Sequence, residues 1–241
     1  MDANSYHLVT SEKAYYHIHL DGKITKNEVY QRFAKSLGFS DFPFYSRSGH
    51  EPLLHMTKKY RGSDSEYNTA KVDFAQLVSQ APLLGYRGYL EFEKIFLRHT
   101  YRYKGAVRET GVEFFGVQKL PFHFTQRQLK IAEGEQFKRF DLHYTISQQS
   151  DPAIITALQQ TGLLFIVPQY DDTYVFTAQF AASDDAEKHM LQLEKCLLAF
   201  TQQYAVLIPK AVLKLEEMVD FFVSDVGQEH LPVVVESCRF D

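Results

Sequence analysis

Residues 140–203 carry the pattern that most narrows the fold. Phe140-Asp141-Leu142-His143-Tyr144-Thr145-Ile146 alternates apolar and polar residues and reads as a strand. Ser150-Asp151-Pro152 opens a helix with Ile154, Ile155 and Leu158 turned inward, and Gly162 ends it. Two β-rich runs, 163–167 and 174–180, flank the turn-forming Pro168-Gln169-Tyr170-Asp171-Asp172 and predict a hairpin. A long helix follows over 184–203, where Ala186, Met190, Leu193, Leu197 and Phe200 recur every three or four residues. The order β-α-β-β-α lacks one strand of a ferredoxin-like unit, and 205–208 or 233–235 are expected to supply it.

The first half alternates strands and helices too, without a sequence repeat. A strand over 14–20 stops at Asp21-Gly22, and a helix begins at the capping pair Thr25 and Glu28, carries Val29, Phe33 and Leu37, and ends at Gly38. After a loop over 39–52 comes a strand at 53–57, a polar loop at 61–65 and a helical pattern over 69–81 closed by Pro82. Residues 86–103 read as one long strand: Tyr89, Glu91 and Glu93 alternate with Leu90 and Phe92, and the phase then changes at Ile95 and Leu97, which predicts a bulge. Strands are also expected at 112–117 and 122–125. The class is α+β: two lobes of mainly antiparallel sheet with helices packed on one side, an N-terminal α+β lobe over 1–135 and a C-terminal ferredoxin-like lobe over 136–241, divided near Ala132-Glu133-Gly134.

Composition sets the outer bounds. Of 241 residues, 45% are hydrophobic and 15% aromatic, enough to bury a large core and to exclude disorder for most of the chain. No apolar run approaches the roughly 18 residues of a membrane span, and Met1-Asp2-Ala3-Asn4 lacks the pattern of a secretion signal, so a soluble, cytoplasmic protein is expected. Cys196 and Cys238 cannot build a disulfide framework or a multi-cysteine zinc site. No phosphate-binding glycine loop, dinucleotide fingerprint or nucleophile elbow is present, and no cofactor is expected. The net charge of −4 is unevenly spread: 16 basic and 10 acidic residues lie in 47–139, against 5 and 15 in 140–241. The basic middle favours an anionic ligand, and the acidic C-terminal lobe suits a protein partner.

Histidine motifs carry the remaining functional signal. His17 and His19, at i and i+2 of one strand, share a face. The string His17-Ile18-His19-Leu20-Asp21-Gly22 resembles the first metal-binding motif of adenosine-deaminase-like amidohydrolases, a family that implies a (β/α)₈ barrel with further His, Glu and Asp-Asp motifs. Asp171-Asp172 and Asp184-Asp185 lack that family's flanks, and with no further ligand set recognisable His17 and His19 are expected to hold no metal.

Three tripeptides set a histidine and a threonine on one strand face with an apolar residue between them: His55-Met56-Thr57, His123-Phe124-Thr125 and His143-Tyr144-Thr145. Two such strands brought together provide two imidazoles for acid-base work and two hydroxyls for phosphate oxygens. In this the chain resembles the 2H phosphoesterase superfamily, whose hallmark is a pair of His-apolar-Thr/Ser motifs in two related lobes. The resemblance implies metal-independent cleavage of a cyclic nucleotide or RNA-end phosphodiester. The best pair is His55 and His143 as catalytic residues, with Thr57 and Thr145 on the phosphate and His123 outside the site. The basic run Lys58-Lys59-Tyr60-Arg61 adds Lys58 and Arg61 as substrate-binding candidates. On this reading the two imidazoles lie roughly 5–8 Å apart and activity is bell-shaped in pH. A non-catalytic protein-interaction module is the alternative.

Overall fold

The computed structural model describes residues 6–11, 15–23, 27–41, 53–103, 119–166, 172–181, 183–204, 206–223 and 232–240. The expected strand at 112–117, the cap at Thr25 and most of the loops over 39–52 and 167–172 fall outside them. The first lobe runs β1 (Tyr6–Ser11), β2 (Tyr15–Lys23), α1 (Glu28–Ser36), β3 (Ser40–Asp41), β4 (Leu53–Tyr60), α2 (Asp64–Gln80) and β5 (Gly88–Tyr103). After β6 (Phe122–Gln128) the second lobe runs β7 (Gln136–Ser147), α3 (Pro152–Gln159), β8 (Leu164–Ile166), β9 (Thr173–Phe180), α4 (Ser183–Gln203) and β10 (Lys210–Phe222), and β11 (Val233–Phe240) returns to pair with β6.

Among the described residues, nine strands form one antiparallel sheet in the order β3-β4-β2-β5-β10-β7-β9-β8, with β1 also on β5. Numbered within its own lobe, each set of four strands lies in the order 4-1-3-2, the ferredoxin-like order, and the two fourth strands β5 and β10 pair with each other. The missing strand of the second lobe is therefore β10, not 205–208 or 233–235. Charge hides it in the sequence: Lys214, Glu216 and Asp220 occupy alternate positions, and all three are drawn onto one face of the sheet by ionic partners.

The four helices among the described residues cover the other face. Ile18, Leu20, Met56, Leu90 and Phe92 pack with Tyr30, Ala34, Phe74 and Leu77 in the first lobe. Leu142, Tyr144, Phe176 and Leu213 pack with Ile154, Leu158, Met190, Leu193 and Leu197 in the second. Leu193 is fully buried, and truncating such a leucine costs about 2–5 kcal/mol. The long β5 keeps its inner face despite the phase change, because its register with β10 slips between Leu215 and Glu216, which oppose Leu97 and Ile95. Phe96 is the extra residue of that bulge.

Two helix starts follow their caps. The Ser63 hydroxyl accepts from the Glu66 amide, so α2 begins five residues before the apolar pattern at 69. Asp151 accepts from the Ala153 amide at the head of α3, with Pro152 in the first turn. Gly162 sits at φ 80° just beyond α3, a conformation that suits glycine. β6 precedes the expected lobe boundary in sequence, yet its small sheet with β11 packs on the second lobe: Phe124 lies in its core, and the Phe124 amide donates to the Thr161 carbonyl at 2.7 Å. No helix among the described residues is long and apolar enough to cross a membrane.

Candidate functional site

Strand parity decides which side chains meet. With Ile18 and Leu20 in the core, His17, His19 and Asp21 of β2 face away from the helices. The same parity turns His55 and Thr57 of β4, Glu91 and Glu93 of β5, Lys214, Glu216 and Asp220 of β10, and Arg139, Asp141, His143 and Thr145 of β7 onto that face. One side of a continuous sheet thus carries the hydrophobic core, and the other carries a lattice of ionisable groups that spans both lobes.

The first-lobe end of this lattice is rich in histidine. His17 lies directly opposite Glu93, and His19 lies between Thr57 on β4 and Glu91 on β5. His17 Nδ1 and His19 Nε2 both contact the same Glu93 oxygen, Oε2, at 3.2 and 3.1 Å. The His55 ring stacks on His19 at 5.1 Å between centroids, and its Nδ1 lies 2.5 Å from Asp21 Oδ1. Burial works to raise the Glu93 carboxyl, but His19 and His17 outweigh it and hold Glu93 well below the usual carboxylate range. Burial works to lower His19, but Glu93 outweighs it, with Glu91 and Asp21 adding to the effect, and its pKa is raised to about 9.

At the junction of the lobes sits Arg139, buried on β7. Its Nε donates to Asp220 at 2.5 Å, its Nη2 to Glu91 at 2.8 Å, and its Nη1 to Asp141. One guanidinium faces three carboxylates, and the imbalance shows in their protonation. Burial and the facing Asp220 push Glu91 well above its ordinary range, with Arg139 opposing, and burial lifts Asp220 to about 6 in spite of Arg139. Part of the acidity read from the C-terminal half is thus internal: Asp141, Glu216 and Asp220 are buried on this face rather than displayed on a surface.

The structure does not bring His55 and His143 together. They lie on β4 and β7, with β2, β5 and β10 between them, so four interstrand steps of about 4.8 Å alone separate them by roughly 19 Å, and the strand registers offset them further along the sheet. Nor are their strands equivalent, since β4 is the third strand of its lobe and β7 the first. His143 is held by its own neighbours, with Nε2 2.9 Å from Glu216 and Nδ1 2.9 Å from Thr177 Oγ1. Thr57 shares the face with His19, and its hydroxyl is buried without a hydrogen-bond partner. Lys58 points to the opposite face, where its Nζ donates to Asp73 and to the Leu37 carbonyl, each at 2.6 Å. It ties β4 to the helices, which the alternation from Thr57 to Lys58 already implied. Arg61 is exposed in the turn before α2, its amide on the Glu66 carboxylate. His123 lies on β6, in the small sheet.

Thr145 does line a cavity. Of about 500 Å³, it lies over the polar face and is lined by Lys210, Lys214, Thr145, Ser147 and Thr173 of the second lobe together with Arg98 and Tyr15 of the first. Asp172 is its acidic member. The Thr173 hydroxyl is buried with no hydrogen-bond partner. Burial works against the charge on Lys214, yet Glu216 and Glu93 hold its pKa above the ordinary value, so it stays a cation. Tyr15 joins the two ends of the site, because it lines the cavity and its ring lies 5.0 Å from that of His17. Sequence reasoning missed Arg98, Lys214 and Glu93. Only the alternation around Glu91 and Glu93 hinted at the last, and its pairing with β2 required the register.

A second cavity of about 670 Å³ gathers His123, Lys119 and Arg239 beside α3. It lies on the small sheet, apart from the carboxylate-histidine face. In comparisons with known proteins, no family model matches the chain, and no curated protein and no solved structure is similar to it.

Proposed function

We propose that the chain is a phosphoesterase that takes a cyclic nucleotide or an RNA-end phosphodiester, with the phosphate held in the cavity over β10 and β7. The observation that carries this reading is the convergence of Arg98, Lys210 and Lys214 with the Thr145, Ser147 and Thr173 hydroxyls around one space. A phosphate needs several donors and compensating positive charge, and arginine with hydroxyls supplies both. The cavity volume falls within the roughly 300–1,000 Å³ of small-molecule sites.

Thr145 keeps the phosphate-binding role that the sequence suggests. The acid-base work passes from the pair His55 and His143 to the histidines at the edge of the cavity. His17 is the first candidate, since Tyr15 connects it to the cavity and Glu93 fixes the orientation of its ring. A proton moved by this imidazole to or from a water or a leaving oxygen is worth about 10²–10⁴-fold in rate.

Titration calorimetry with a nucleoside 2′-monophosphate, beside turnover of a panel of cyclic and linear phosphodiesters, tests the reading. Binding with turnover is expected in the wild type. Thr145→Val should weaken binding roughly tenfold, as a hydrogen bond to a charged oxygen is worth about 1.5–3 kcal/mol. No binding and no turnover, or both unchanged in Thr145→Val and Arg98→Met, would remove the assignment.

A further inference from the structure

We propose that His17, His19 and Glu93 form a binding site for one first-row divalent transition metal ion, a site the isolated His-x-His string does not reveal. Each residue offers one ligand atom, and the three atoms lie within 4.8 Å of one another. Two of the separations are more telling than that limit. The His17 and His19 nitrogens stand 3.2 and 3.1 Å from Glu93 Oε2. Ligands about 2.0–2.2 Å from a metal are spaced about 3.0–3.5 Å apart in octahedral or tetrahedral geometry, so these edges already have the length a shared ion needs.

The residue types fit as well. Two imidazoles and one carboxylate are a donor set for zinc or iron, with the remaining positions open to water or substrate. Backbone pairing makes the arrangement rigid: His17 and His19 are i and i+2 on β2, and Glu93 is the direct cross-strand partner of His17.

The hydrogen bonds within the cluster do not satisfy it. His17 Nε2 and His19 Nδ1 are buried with no hydrogen-bond partner, and Thr57 Oγ1, on the residue opposite His19, is a third such atom. Buried polar atoms are otherwise almost always paired, and the two ring nitrogens among these three are the ones turned away from Glu93, so the ligand atoms are His17 Nδ1 and His19 Nε2. The Asp21 carboxyl flanks the cluster on the same face, beside the Glu93 carboxylate. Lys214, which also faces Glu93, is turned to Glu216 at 2.5 Å.

The site goes beyond the phosphoesterase reading and shares His17 with it: the cavity can bind phosphate without a metal and the cluster can bind a metal without phosphate, but a His17 held by the ion no longer moves the proton. Where both hold, Tyr15 places the ion beside the substrate cavity, as in metal-assisted phosphate chemistry.

The test is titration of the chelator-stripped full chain with Zn²⁺ by calorimetry and with Co²⁺ by visible absorption, in the absence of any phosphate ester. One ion per chain is expected, with ligand-field bands for Co²⁺. Glu93→Gln, close in shape, and His17→Ala should each weaken binding by at least about a hundredfold, more than the roughly 10–100-fold lost with an outer partner of a metal ligand. His99→Ala should leave it unchanged, because His99 pairs with Glu194 on the helical side. Cooperative thermal unfolding of each variant confirms its fold. Absence of saturable binding in the wild type, or binding that survives both Glu93→Gln and His17→Ala, would overturn the proposal.

Discussion

The first and second lobes follow the same path through space and place different chemistry on it. In the first strand of each, the outward positions are His17, His19 and Asp21 on β2 but Arg139, Asp141, His143 and Thr145 on β7. In the third strand they are His55 and Thr57 on β4 but Val175, Thr177 and Gln179 on β9. In the fourth they are Glu91 and Glu93 on β5 against Lys214, Glu216 and Asp220 on β10. The first lobe gathers imidazoles around carboxylates, an environment for a cation. The second gathers hydroxyls and lysines that, with Arg98 and Tyr15 of the first, make an environment for an anion. The inner faces carry ordinary packing in both, so the fold is duplicated while the site is divided between the copies.

The junction is where that division is most exposed to perturbation. Arg139 of the second lobe pairs with Glu91 of the first as well as with Asp141 and Asp220. Arg139→Met should destabilise the protein by about 3–5 kcal/mol in denaturant unfolding, because it leaves buried carboxylates without their cation. A loss below about 1 kcal/mol would mean that the lobes do not depend on this pairing.

Next in size is a pH effect at the same place. Asp220 faces Arg139 and Asp141 on β7 and Glu91 and Tyr89 on β5, and its pKa rises from 3.8 to about 6 on folding. The folded state therefore holds this proton more tightly than the unfolded chain. Its stabilising contribution is complete below about pH 4 and is lost as pH rises through about 6, on the order of 3 kcal/mol in all. The stability of the wild type relative to Asp220→Asn should accordingly fall between pH 4 and pH 7. A flat difference across that range would show that Asp220 is not protonated in the fold.

The amphipathic elements were open to sequence reasoning, and the charged ones were not. Ala186, Met190, Leu193, Leu197 and Phe200 announce α4 by spacing alone, because their periodicity reflects a single apolar stripe against the sheet. β10 escaped because Lys214, Glu216 and Asp220 suggest solvent, whereas they lie on a face where each has an ionic partner. The same limit governs the site. The shared face of His17 and His19 follows from strand period, but their meeting with Glu93, 74 residues later, follows from the register of β2 on β5. Paired His-x-Thr strings likewise carry parity without position, so His55 and His143 match in motif and stand on non-equivalent strands.

A smaller effect separates the two ends of the face. Lys214→Met should weaken binding of a nucleoside 2′-monophosphate at least about tenfold by calorimetry, since a charge-assisted contact is worth about 1.5–3 kcal/mol, while Thr57→Val, at the histidine end, should leave that affinity within about twofold. Equal losses would mean that the phosphate spans both ends. The smallest effect belongs outside the site. Lys35 and Asp41 form a half-exposed ion pair at 2.6 Å in the first lobe, and Lys35→Met should cost no more than about 1 kcal/mol and leave phosphate affinity unchanged.

The most direct measurement is a crystal structure of the chain with a nucleoside 2′-monophosphate bound, since the cavity over the polar face and that on the small sheet both gather basic side chains and the account assigns the phosphate to one. The account predicts the phosphate among Arg98, Lys214 and the Thr145 hydroxyl, over the shared polar face. A phosphate seated instead against His123, Lys119 and Arg239 on the small sheet would contradict it.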